Sequence, residues 1–256
     1  MINLPEAEHS LTTVFSSRLL KPTKRAIWDF NLLQPDDRIA VCISGGKDSF
    51  VLAKLLQLLQ RQGDFPFSLT FLAMDPGYTP TVRTQIEANA ARLQIPLKFF
   101  ETNILRVAAN HAPDHPCFLC AKMRRGHLYA EAAARGCNKI ALGHHFDDAI
   151  ETVLMGLLYG GQVEALQPRV KSRHYPDMEL IRPLYYVREE AVQAWVTHSG
   201  LHFPLCGCPS ARGETTSKRT EVKRMDCFSR RAKSANRIQS SQCREKCGHK
   251  KTSWMA

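Results

Sequence analysis

Ile39-Ala40-Val41-Cys42-Ile43-Ser44-Gly45-Gly46-Lys47-Asp48-Ser49-Phe50 runs from an apolar strand-like segment, through two glycines, into a helix-like segment that continues past Leu59. A strand that turns at glycines and opens a helix builds an anion site. The glycines let the main chain approach a ligand closely, and the first N–H groups of a helix have no acceptor within the helix. Lys47 adds a positive charge, and Ser44 and Ser49 add hydroxyls, so phosphate or pyrophosphate is the natural occupant. The glycine-to-lysine spacing is too short for a Walker A loop. An ordinary strand-to-helix turn would need no lysine or paired serines.

The flanking sequence repeats the same alternation. Arg38–Ile43 reads as a strand and Ser49–Gln62 as its helix; Ser68–Met74 is a second buried strand ending at Asp75-Pro76-Gly77-Tyr78. Thr79 followed by Pro80 predicts a helix start, with the helix reaching about Leu93. Leu97–Glu101 is a third strand, Cys117–Arg135 a helix closed by Gly136, and Lys139–Leu142 a fourth strand. Asp147–Tyr159 reads as a helix ended by Gly160-Gly161, Leu180–Leu184 as a short strand, and Arg188–Ser199 as a helix capped by Gly200. Alternating strands and helices predict an α/β fold, a parallel sheet with helices on both faces. In such sheets ligands bind at the carboxyl ends of the strands. The loops 44–49, 75–78 and 143–148 share that edge.

Residues 1–17 read as a loosely held extension, 18–221 as the folded domain, and the chain from Val222 to Ala256 as a basic tail, disordered or divergent. Residues 211–256 carry 13 Lys and Arg against 4 Asp and Glu, whereas the rest of the chain is nearly balanced. The basic end therefore favours an acidic partner such as nucleic acid. No apolar run suggests a secretory signal or a membrane span, so a cytoplasmic protein is expected. In that compartment close cysteine pairs point to metal or redox chemistry rather than disulfides.

Of the nine cysteines, Cys42 and Cys137 sit in apolar or helix-end contexts and read as small buried residues; Cys227, Cys243 and Cys247 fall in the tail. His115-Pro116-Cys117-Phe118-Leu119-Cys120 puts two thiols one turn apart at a helix start, where thiolate is favoured. Lys122-Met123-Arg124-Arg125 follows, and Leu205-Cys206-Gly207-Cys208 supplies two more thiols. Spacing alone admits a structural zinc site, a redox pair or an iron–sulfur cluster. Gly143-His144-His145-Phe146-Asp147-Asp148 follows a strand and opens a helix. Its two carboxylates suit a helix cap, and equally a Mg²⁺ ion beside phosphates.

Ser44-Gly45-Gly46-Lys47-Asp48-Ser49 resembles the loop of the PP-loop ATPases, with their adenine-nucleotide α-hydrolase-like fold. Together with C-x-x-C, the 140–148 motif, Ile181-Arg182-Pro183-Leu184 and a late cysteine, it resembles the tRNA 2-thiocytidine synthetase family over about Lys21 to Thr220. The resemblance implies an ATP-dependent tRNA sulfurtransferase that adenylates the 2-oxygen of a cytosine and replaces it with sulfur. It implies ATP contacts from Ser44, Gly45, Gly46, Lys47, Asp48, Ser49, Asp75, Gly143 and His144, with Lys47, Asp48, Asp147 and Asp148 in catalysis. It implies a [4Fe–4S] cluster on Cys117, Cys120 and either Cys206 or Cys208, and Mg²⁺ as the second cofactor. The expected partners are tRNA, met by Arg124 and Arg125, a cysteine desulfurase or other sulfur donor, and a second copy of the chain; no membrane is expected. Other readings are a 2-thiouridine or lysidine synthetase, or a non-catalytic zinc-containing RNA-binding protein.

Overall fold

The computed structural model describes residues 4–104, 107, 116–203 and 218–226. The elements, in chain order, are α1 (Leu4–Thr12), a π-helical turn (Ser16–Leu20), α2 (Lys21–Asp29), β1 (Asp37–Ile43), α3 (Lys47–Gln62) and β2 (Phe67–Asp75). Then come α4 (Pro80–Arg92), β3 (Leu97–Glu101), α5 (Pro116–Ala134), β4 (Lys139–Ala141), α6 (Phe146–Met155) and a second π-helical turn (Gly156–Gly160). β5 (Arg169–Lys171), β6 (Glu179–Ile181), α7 (Glu189–Ser199) and a last helix, α8, over 218–226 complete the described chain.

The strands lie in the order β3-β2-β1-β4-β6-β5. All neighbours are parallel except β5, which pairs antiparallel with β6 at the edge. From β1 the chain winds outward through β2 to β3, then returns to β4 on the other side of β1. Strand order therefore reverses between β1 and β4, the position at which open α/β sheets bind ligands.

Alternation along the strands gives each face its own core. Ile39, Val41 and Ile43 of β1 join Phe71, Ala73, Ala141 and Ile181, and pack with Phe50, Leu55 and Leu56 of α3, Ile86 of α4 and Trp195 of α7. The intervening Ala40 and Cys42 join Leu72, Ile140 and Leu180 on the other face, against Tyr129 and Ala132 of α5. Helices thus cover both faces, as the strand–helix alternation predicts. Cys42 and Cys137 are buried thiols, and burial pushes Cys42 up to about 12, so it is inert.

The amino ends of three adjacent strands are tied by charge. Lys139, 3% exposed, is 2.7 Å from Asp37 and 3.8 Å from Glu179, and donates to the Leu32 carbonyl. Arg169 meets Glu179 with two nitrogens, at 2.7 and 2.9 Å. Fully paired charges at this end leave the carboxyl end as the chemically open edge.

The described residues divide into two compact units, one falling within 1–150 and 165–213, the other within 151–164 and 214–256. In the second, Tyr159 donates to Glu221 at 2.6 Å, Arg219 to Glu151 at 2.7 Å, and Lys218 lies 4.9 Å over the Tyr159 ring. Val222, where the aperiodic tail was expected to begin, is fully buried within α8. The remainder of that tail, 227–256, lies outside the described residues.

Residues 1–17 also differ from the expected loose extension. Ala7, Leu11 and Phe15 are buried in the larger core, and Trp195 donates to Ser10 Oγ at 3.0 Å. Glu8 meets Lys54 at 2.5 Å and Arg61 at 2.8 Å. Burial works to raise the Glu8 pKa, but the Arg61 and Lys54 contacts outweigh it and the net shift is downward. Its contribution to stability is therefore present above the ordinary glutamate pKa and is lost as pH falls through the depressed one. Leu11→Ala should cost about 2–5 kcal/mol in urea unfolding, the range for emptying a fully buried leucine site. A change below about 0.5 kcal/mol would mean that α1 is a loose extension after all.

Candidate active site at the sheet switch point

The turn after β1 is shaped by two glycines with different duties. Gly45 has φ 85°, a left-handed conformation, and a Cβ there would lie 2.8 Å from Ile86 Cδ1. Gly46 is extended and forms the cap of α3. The serines close the loop from inside: Ser49 Oγ donates to the Gly46 carbonyl at 2.8 Å and accepts the Ser44 N–H at 3.2 Å. The Gly46 N–H reaches Ser44 Oγ at 3.4 Å, and Tyr78 donates to the Ser44 carbonyl at 3.3 Å. Ser49 is buried, so its hydroxyl holds the loop. The first N–H groups of α3 and the exposed Ser44 hydroxyl remain the groups suited to an anion.

Lys47 sits at the first position of α3 with its ammonium between two carboxylates. It is 3.3 Å from Asp48 Oδ2 and 3.0 Å from Glu189 Oε1. Burial works to lower its pKa, but Asp48 and Glu189 overcome that, and the net shift is upward. Lys47 is therefore a charged ammonium across the neutral and mildly alkaline range.

The turn after β4 approaches from the other side of the switch point. His145 caps α6 in a reciprocal box: Asp148 N–H donates to His145 Nδ1 at 3.3 Å, while Asp148 Oδ2 accepts the His145 N–H at 2.8 Å. Its Nδ1 also lies 3.3 Å from Asp148 Oδ2, and its Nε2 lies 3.7 Å from Asp48 Oδ1. Asp147 uses both oxygens elsewhere. Oδ1 pairs with Arg188 at 3.1 Å, and Oδ2 accepts the Glu189 N–H at 2.7 Å, the first N–H of α7. Asp147 thus sets where α7 begins and places Glu189 over Lys47. Asp147 has both oxygens engaged, and Asp148 Oδ2 caps α6. Asp48 Oδ1 makes no hydrogen bond among the described residues.

Asp75 lies at the end of β2 as expected, but it is 6% exposed and its carboxylate is committed. Oδ1 accepts the Gly77 and Tyr78 N–H groups at 2.8 and 2.7 Å, and Oδ2 pairs with Arg83 at 3.1 Å. Its side chain shapes the 75–78 turn, and Tyr78 carries that turn onto the Ser44 loop. His144 lies half-buried in the same edge.

Glu189 and Arg182 are the functional candidates that sequence reasoning missed. Glu189 reads as an ordinary acidic residue in the first turn of a helix; only the Asp147 contact brings it to Lys47. Arg182 follows β6 and is 6% exposed. Arg124 and Arg125 lie on α5, somewhat more than two turns from its amino end, where Cys117 and Cys120 stand. Cys206 and Cys208 lie outside the described residues.

Gly143 joins the two turns. A Cβ there would meet the Asp48 carbonyl carbon and the Ser49 nitrogen at 2.9 Å, backbone atoms that cannot rotate away. Gly143→Ala should lower stability by about 1–3 kcal/mol, the usual cost of overpacking, and weaken inorganic pyrophosphate binding at least tenfold by displacing the first turn of α3. Unchanged affinity, read by calorimetry, would show that the two turns move independently.

Comparison with known proteins agrees with this geometry. The PP-loop domain family model matches residues 11–205. The tRNA-cytidine(32) 2-sulfurtransferase of Anaeromyxobacter dehalogenans (strain 2CP-C) is 36% identical over 210 residues, 81% of this chain and 71% of that one. Its counterpart in Syntrophotalea carbinolica is 38% identical over 213 residues, 81% and 80% of the two chains. In three dimensions the chain is similar to the U34-tRNA thiolase NcsA of Methanococcus maripaludis, solved with its [4Fe-4S] cluster. That match has a TM-score of 0.67 at 24% identity, over 83% of this chain and 72% of that one, and it speaks to the fold. With the family model spanning most of its length and full-scale relatives above one-third identity, the chain belongs to the PP-loop family and, within it, to the tRNA-cytidine 2-sulfurtransferases.

Proposed function

We propose that this protein is an ATP-dependent tRNA sulfurtransferase that exchanges the 2-oxygen of a cytosine, in an accessible loop of a tRNA, for sulfur. The observation that carries the reading is the Lys47 ammonium at the start of α3, held by Asp48 and Glu189 at the β1–β4 switch point. Ser44, Gly45, Gly46, Lys47, Asp48 and Ser49 would take the β- and γ-phosphates of ATP, with the first turn of α3 and Lys47 meeting their charge. Gly143 and His144 would meet the rest of the nucleotide, and Asp75 holds the turn that supports the loop.

Oxygen is a poor leaving group on the pyrimidine ring. The cytosine 2-oxygen attacks the α-phosphorus of ATP; the new O–P bond forms as the bond from that phosphorus to the bridging oxygen breaks, and pyrophosphate departs. Lys47 offsets the charge gathering on the departing phosphates. Mg²⁺ would sit with Asp48 and Glu189, because one or two carboxylates plus substrate phosphates are its usual ligands. Asp147 and Asp148 act by fixing α6 and α7. Sulfur then adds at C2, and AMP leaves with the former base oxygen.

The donor set fits an iron–sulfur group. Cys117 and Cys120 lie three residues apart at the amino end of α5, where a helix dipole favours thiolate, and Cys206 or Cys208 would give the third sulfur. Bound there, a [4Fe–4S] cluster with three protein ligands supplies an iron open to sulfide. The family resemblance adds a cysteine desulfurase or other sulfur donor, a second copy of the chain, and a cytoplasmic setting that keeps thiols reduced. Among the described residues no helix is long and apolar enough to cross a membrane.

Two substitutions separate the half-reactions. Lys47→Ala should abolish pyrophosphate release with iron content unchanged. Cys117→Ser should lose iron and thiolated product while ATP affinity stays within about twofold, because serine is a poor substitute for a thiolate on iron. The measurements are iron and sulfide content, ATP affinity and tRNA thiolation in anaerobic protein. Thiolation by Cys117→Ser, or a wild type holding zinc and no iron, would overturn the reading.

A further inference from the structure

Arg182 belongs to Ile181-Arg182-Pro183-Leu184, a motif that the nucleotide site leaves unused. The residue is 6% exposed, and its Nε is a buried nitrogen without a hydrogen-bond partner among the described residues. Its Nη1 donates to the Gln167 carbonyl, a neutral acceptor. No carboxylate among the described residues pairs with it; Asp148 acts only at longer range. Burial first, and then the Arg125 guanidinium, push the Arg182 pKa down to about 10. Arg125 is exposed, and its neighbour Arg124 also buries an Nε that has no hydrogen-bond partner among the described residues. A buried guanidinium is costly unless an anion answers it. Two guanidiniums without a carboxylate are complementary to phosphate oxygens.

The location separates this cluster from the loop after β1. Leu180 packs with Tyr129 of α5, whereas Ile181 packs with the α3 side. Arg182, whose charge is felt by Tyr129 and Arg125, therefore stands on the α5 face of the sheet's carboxyl edge. The phosphates of a nucleotide already have the α3 amino end and Lys47 on the opposite face. An exposed Arg125 opens the α5 side to a large ligand arriving from solvent.

We propose that Arg182 and Arg125 form a second anion site, apart from the pyrophosphate loop, that holds a backbone phosphodiester of the RNA substrate and so positions the target base. The proposal rests on the tRNA reading above. Arg182 is a positioning residue: it sets the register of the strand and takes no part in adenylation.

The test measures tRNA and ATP affinity across a salt series, steady-state thiolation and melting temperature for wild type, Arg182→Met and Arg125→Gln. Both variants should bind tRNA at least tenfold more weakly at low salt. The slope of log affinity against log salt should fall by about 0.7–0.9, the release expected for one phosphate contact. ATP affinity should stay within about twofold, and kcat/KM for tRNA should fall while KM for ATP holds. Arg182→Met should melt no lower than wild type, since replacing an unanswered buried charge by an apolar chain is neutral or stabilising; a residue that only braces Gln167 would melt lower. Arg125→Gln, on the surface, keeps the test alive if Arg182→Met does not fold. Unchanged tRNA affinity and slope in Arg125→Gln, or a loss of ATP affinity in place of tRNA affinity, would overturn the proposal. A wild type that binds no tRNA would instead overturn the functional reading beneath it.

Discussion

The main chain of Asp48 and Ser49 leaves no room for a side chain at position 143. That exclusion brings the turn after β4 against the first turn of α3, and the site follows from it. With the two turns in contact, His145 Nε2 comes within 3.7 Å of Asp48, and Asp147 is placed to receive the first N–H of α7. α7 then starts with Glu189 on Lys47. A side chain at 143 would separate the strands' carboxyl ends and dismantle that sequence of contacts, although no atom of Gly143 carries charge.

The charges are arranged to wait for an anion. Lys47 is answered by two carboxylates, so the ammonium is held at the helix start and stays protonated. Phosphate oxygens arriving there exchange one set of anionic partners for another, at little cost in reorganisation. Asp147 and Arg188 keep that geometry from collapsing: Arg188 is fixed between the Asp147 carboxylate and the Phe146 ring, 4.9 Å from its centroid. Charge at the other end of the strands, around Lys139, is fully paired and structural.

Much of this was legible in the sequence where the signal was local. The glycine turn, the buried β1 run and the Gly63, Gly136 and Gly200 helix ends each depend on neighbouring residues, and each lies where periodicity places it. α3 begins two residues earlier than the apolar pattern indicates, because Lys47 and Asp48 are polar helix-starting residues. Thr79 stands at the cap position of α4, yet its side chain makes no capping bond. β5 escaped notice because Arg169-Val170-Lys171 is short, polar and an edge strand. α1 escaped because its burial comes from Trp195 and Lys54, remote in sequence from Ala7 and Leu11. Glu189 and Arg182 were missed for the same reason: a helix-start glutamate and a strand-end arginine are ordinary until tertiary contacts set their partners. That Asp147 reaches Arg188 and the start of α7 was likewise hidden, because those partners are remote in sequence.

The central claim is that the Lys47 site activates a base oxygen by adenylation, and the fate of that oxygen tests it. A tRNA carrying ¹⁸O at C2 of the target cytosine is thiolated with ATP under anaerobic conditions, and the AMP is examined by mass spectrometry. The account predicts one ¹⁸O in each AMP released with thiolated product. Label that appears in water or pyrophosphate, with unlabelled AMP, would contradict it.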